Sequence, residues 1–116
     1  MPVPSIFTRF LGALGVRHTQ RYADAQFRGM TFKSLYGLSH LLVQYGVPNE
    51  AVRVADKNEI TAISTPFLAQ TKGGIFVIVT DIDSSEGVVS YDSRSVAESA
   101  PLTDFIKAWN GIALLA

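Results

Sequence analysis

The sequence predicts an α+β domain: helices first, an antiparallel sheet after them, and one late helix against the sheet. Three observations carry this. Apolar residues recur at helical spacing as far as Tyr45, and beyond it the period falls from about 3.6 to 2. The stretch Pro66 to Asp81, PFLAQTKGGIFVIVTD, sets two apolar runs on either side of the turn Thr71-Lys72-Gly73-Gly74. The second run, Ile75 to Val79, is unbroken and rich in β-branched residues. Alternation would mark one wet face, whereas an unbroken run means that both faces are covered. Ile75 to Thr80 is therefore expected at the sheet centre, antiparallel to Pro66–Gln70.

Each element has its own signal. Ser5 is placed to cap a helix carrying Ile6, Phe7, Phe10, Leu11 and Leu14, and Gly15 supplies its left-handed stop. Thr19 precedes a shorter piece with Tyr22, Ala23 and Phe27, which Gly29 ends. Thr31 opens a third helix whose Phe32, Leu35, Leu38, Leu42 and Tyr45 form one stripe. Gly46 stops it, Val47 can pack back on it, and Pro48 forbids continuation. Ala51–Val54 then alternates as a short strand, Asp56–Glu59 reads as a polar turn, and Ile60–Ile63 leads into the central hairpin. Asp83 to Gly87 is a second turn, followed by a strand Val88–Tyr91. Asp92 to Ala100 is small and polar, a loop or weak edge strand. Pro101 starts a helix carrying Leu102, Phe105, Ile106 and Trp109, Asn110-Gly111 closes it, and Ile112–Leu115 is a last strand. No repeat or linker interrupts residues 1–116, which read as one domain.

Composition excludes several function classes. Ten basic and ten acidic residues cancel, so nothing steers the chain toward nucleic acid. Cysteine is absent, which removes disulfides, thiolate metal sites and a thiol nucleophile. No run approaches the roughly 20 apolar residues of a membrane helix.

Local motifs for chemistry are few. The two histidines, His18 and His40, sit after the first helix and off the stripe of the third, where both are expected to face solvent. No G-x-S-x-G pattern accompanies them. Asp81, Asp83 and Glu86 crowd one turn, but too few oxygen ligands are present for a calcium loop, so no metal site is assigned. Lys72-Gly73-Gly74 lacks the frame of a phosphate loop, and no cofactor is expected.

Several phrases do follow one template in order. They are Thr31-Phe32-Lys33-Ser34-Leu35-Tyr36-Gly37-Leu38, Tyr45-Gly46-Val47, Ala51–Val54, Thr65-Pro66-Phe67-Leu68-Ala69, Gly74–Val79, Ser90-Tyr91-Asp92 and Phe105–Leu115. Together they resemble the papain-fold peptidase domain of bacteriocin exporters, which trims double-glycine leader peptides. The resemblance covers essentially the whole chain and implies a papain-like cysteine-peptidase fold.

It also implies where the catalytic groups would stand. The aspartate that orients the histidine falls on Asp92, the histidine position on Ile75, and the cysteine position near Pro2 to Ser5. A thiol protease without its general base can neither form thiolate at neutral pH nor protonate the leaving amine. Losing one member of such a unit costs on the order of 10⁶-fold. The resemblance therefore implies a non-catalytic domain that binds a peptide or protein segment in a remnant cleft, with contacts at Ser5, Gly74, Ile75 and Asp92. Similar degenerate domains imply the cytoplasmic face of the bacterial inner membrane, and continuation into an exporter or a thiol-oxidising membrane protein. The alternatives are a structural or docking domain with a closed groove, and a hydrolase using Ser5 or Thr8 with a borrowed base.

Overall fold

The computed structural model describes residues 3–30, 34–93 and 96–116. Three helices come first: α1 (Ile6–Leu14), α2 (Gln20–Arg28) and α3 (Leu35–Gln44). The strands are β1 (Glu50–Arg53), β2 (Phe67–Thr71), β3 (Phe76–Asp83), β4 (Val88–Ser93) and β5 (Val96–Pro101), then α4 (Leu102–Ala108) and β6 (Trp109–Leu115). They form one sheet, antiparallel throughout, in the order β1-β6-β2-β3-β4-β5. The α+β architecture of helices on an antiparallel sheet with one late helix is the one expected.

Both faces of the sheet centre are covered because alternate residues of β2 and β3 enter different cores. Leu68 and Ile78 join Phe7, Phe10, Leu11, Leu38 and Leu42 under α1–α3. Phe67, Ala69, Val77 and Val79 join Ile60, Phe105 and Trp109 on the other face, under α4. The unbroken run thus reports a strand buried on both sides over Val77–Val79.

Local chemistry sets the helix ends. The Ser5 side chain accepts from the Thr8 amide at 3.2 Å and caps α1, and Gly15 closes it at φ 73°. Ser34 caps α3 through the Gly37 amide at 3.1 Å. Gly46 takes φ 73°, and the Val47 amide returns to the Leu42 carbonyl at 3.0 Å, as in a Schellman stop. Thr31, expected to cap α3, and Phe32 of its stripe lie outside the described residues.

Four expectations need correction. Residues 57–62 form a 3₁₀ helix instead of a polar turn and the lead of a strand, and its Ile60 is fully buried. The last helix ends at Ala108, so Trp109 belongs to the final strand, where it pairs with Thr71. Asp92 lies within β4 paired to Ala97, not in a loop, while residues 96–101 form the edge strand that was one of the two alternatives. β3 begins at Phe76, which leaves Ile75 just ahead of it and exposed.

Candidate functional site

At the start of α1, three polar groups converge. The Ser5 amide donates to Asp24 Oδ1 at 2.9 Å, the Thr8 hydroxyl donates to the same oxygen, and Ser5 Oγ lies 3.1 Å from Thr8 Oγ1. Asp24 and Thr8 are buried. Burial pushes the Asp24 carboxyl up, but hydrogen bonds from Thr8, Ser5 and Gln20 outweigh it and hold the group below its ordinary value. The network ties α2 to the positive end of the α1 dipole. It leaves the hydroxyls of Ser5 and Thr8 engaged with each other and with a carboxylate.

One turn along α1, Arg9 Nε donates to Asp92 Oδ2 at 3.1 Å, and its guanidinium also donates to the Pro4 carbonyl. Ser5 and Asp92 are thus drawn to one locality through Arg9. Asp92 Oδ1 is buried and finds no partner among the described residues. The position expected for the acid of a triad therefore holds a carboxylate paired to an arginine, and the pair fixes α1 to β4.

Gly74 and Ile75 lie elsewhere. Asp92 pairs with Ile78, whose side chain enters the core beneath α1. Ile75 instead lines a cavity with Val77 on the α4 face. Of the expected residues, Ser5 and Asp92 stand on the α1 face, Ile75 beside Val77 on the α4 face, and Gly74 in the turn before β3. Within β3 the sides alternate, so Val77 and Ile78 enter different cores. Gly74 takes φ 86° in the turn before β3, a conformation that a Cβ disfavours, and nothing crowds it.

The cavity measures about 320 Å³. Ile75, Val77, Tyr91 and Phe105 give it apolar walls, and Glu98 of β5 and Asp104 of α4 stand at its polar side. The Tyr91 and Phe105 rings lie 5.6 Å apart. Burial raises the Tyr91 phenol pKa, and the neighbouring Glu98 raises it further. The cavity residues come from two stretches, Thr71 to Val77 and Tyr91 to Ala108, and of them only Ile75 is singled out by the sequence.

The histidines add little. His18 is half-buried, not solvent-facing as expected, with Nδ1 2.7 Å from the Val16 carbonyl, whereas His40 is exposed on α3. Asp83 accepts from the Ser85 hydroxyl and from the Ser85 and Glu86 amides, which identifies it as a turn-forming residue. Those bonds, the Ser85 hydroxyl's first, lower its pKa. No described helix is long and apolar enough to cross a membrane.

No family model and no curated protein matches the sequence. Solved structures do match its fold. The N-terminal peptidase C39-like domain of a toxin secretion ATP-binding protein from Vibrio parahaemolyticus superposes with a TM-score of 0.71. That match is 18% identical and covers 99% of this chain and 96% of that one. A double-glycine motif protease from an AMS/PCAT transporter, in complex with the leader peptide, gives a TM-score of 0.82 at 10% identity, covering 97% and 87%. The fold is that of the C39 peptidase domains. The peptidase domain of Streptococcus ComA, a bifunctional ABC transporter in quorum sensing, agrees at 0.76, with 11% identity over 97% and 94%. The C39-like, papain-like fold implied by the sequence phrases is therefore present, carried by a chain without cysteine.

Proposed function

We propose that this is a non-catalytic, C39-like domain that binds an extended peptide or protein segment. The observation that carries the reading is a peptidase fold with no cysteine anywhere in the chain, in which a cavity stays open beside Ile75. One similar fold was solved with a leader peptide bound, which supports a peptide as the ligand class. The apolar walls suit a side chain better than a scissile carbonyl. The domain acts at the cytoplasmic face of a bacterial membrane, as an accessory to a membrane protein.

The test joins binding to chemical silence. Double-glycine leader peptides, incubated with the domain, should stay intact, and serine-directed probes should leave Ser5 and Thr8 unmodified by mass spectrometry. Titration of ¹⁵N-labelled domain with extended peptides should move the amides of Ile75, Val77 and their neighbours. A stoichiometric adduct on Ser5 or Thr8, or a cleaved leader, would establish the hydrolase alternative instead. A second reading, a docking domain, draws on Tyr36 and Val43, which stand 84% and 61% exposed seven residues apart on α3. Shifts confined to α3 would favour it.

A further inference from the structure

We infer that the cavity beside Ile75 selects a basic side chain, lysine or arginine, presented by an extended peptide. The inference rests on the peptide-binding reading and names the feature of the peptide that is read.

The cavity combines two chemistries. Ile75, Val77 and Phe105 line it with aliphatic and aromatic surface, while Glu98 and Asp104 are the charged groups among its described lining residues. No described basic residue lines it. A purely aliphatic ligand would satisfy only the apolar half of such a site, and an acidic one would meet like charge at Glu98 and Asp104. Lysine and arginine satisfy both, because an apolar stem lies along hydrophobic surface while the charged head stays near water and carboxylates. Glu98 and Asp104 are both exposed and serve as a rim instead of a buried pair, with Glu98 also accepting from the Tyr91 hydroxyl.

Backbone geometry favours a peptide as the carrier. β5 ends the sheet and pairs only with β4, so its outer edge has no strand partner among the described residues. Glu98 and Ala100 of that strand also line the cavity. A segment added along this edge presents alternate side chains to the α4 face, beside Glu98. The sheet edge then supplies backbone hydrogen bonds, and the cavity supplies the choice of side chain.

The experiment uses the whole chain and four fluorescent host peptides, Ac-Ser-Val-Xaa-Val-Ser-NH₂, in which Xaa is lysine, arginine, norleucine or glutamate. Norleucine keeps the stem of lysine and drops its charge. Anisotropy titrations should show the lysine and arginine peptides binding about fivefold tighter than norleucine, with glutamate weakest, since two partly hydrated carboxylates give modest pairing. The preference should shrink as salt rises. Glu98→Gln with Asp104→Asn should level the lysine and norleucine affinities while leaving the circular dichroism and melting temperature unchanged. Equal binding of lysine and norleucine to the unaltered chain would overturn the charge preference and leave peptide binding standing. Binding with that preference but with amide shifts away from Ile75, Glu98 and Asp104 would also overturn it. No binding of any host peptide at millimolar concentration would remove the peptide-binding reading itself.

Discussion

The Asp24 carboxylate belongs to α2 but serves α1, accepting from the Ser5 amide and the Thr8 hydroxyl. Because these bonds hold its folded pKa below the ordinary value, its contribution is fully present above the unfolded aspartate pKa. That contribution is lost as pH falls through the lower folded value. Asp24→Ala should therefore cost about 1–3 kcal/mol near neutrality, by urea denaturation, for two donors left without their acceptor. The gap between variant and wild type should narrow as the titration moves into acid. A second pair tests the tie between α1 and β4. Arg9 and Asp92 are 15% and 25% exposed, so solvent screens part of their attraction, and a double-mutant cycle should give about 1 kcal/mol of coupling, weaker in salt. Neither role was legible in the sequence. The bonds span 19 and 83 residues, and nothing local to Arg9 or Asp24 announces a distant partner. Ser5, whose cap closes on Thr8 three residues away, was legible because its signal is local.

Elements with one strong period were read correctly, and those at a junction were not. The α3 stripe over Leu35, Leu38 and Leu42 and the stop at Gly46 need only local spacing and one glycine, whereas the helix opens after Ser34 and not at Thr31 as expected. Trp109 shows the opposite case. Its spacing from Leu102, Phe105 and Ile106 fits a helix, yet pairing with Thr71 and the bond from the Lys72 amide to the Ala108 carbonyl at 2.7 Å draw the backbone into β6. Tertiary pairing overrides the local pattern there, while burial of the ring is unaffected, since the last turn and the first strand residue face the same core. Trp109 is fully buried, with its indole N–H on the Ile112 carbonyl at 2.9 Å. Trp109→Ala should cost about 3–5 kcal/mol, seen as a large fall in thermal midpoint. A melt like that of wild type would contradict the packing. β5 was half-read for a related reason: Val-Ala-Glu-Ser-Ala-Pro has no apolar alternation, and only the β4 partner makes it a strand.

For the molecule as a whole, the change of period after Tyr45 predicted helices before strands, but no sequence signal gave the order of the strands. That order has a mechanical meaning. β6, the last described element in sequence, lies between β1 and β2, and β1 pairs with no other described strand. A chain ending at Ala108 should lose far more than an edge. We expect it to lack cooperative melting by circular dichroism, because both cores give up a wall: Leu114 from one and Trp109 with Ala113 from the other. Synthesis runs from the N-terminus, so a ribosome releases the helices and five strands before the piece that joins them. Until then the border of β2 and the apolar side chains behind it stay uncovered. Neither core can close before β6 is present, so β6 joins β1 to the rest of the sheet as the two cores form and not after them.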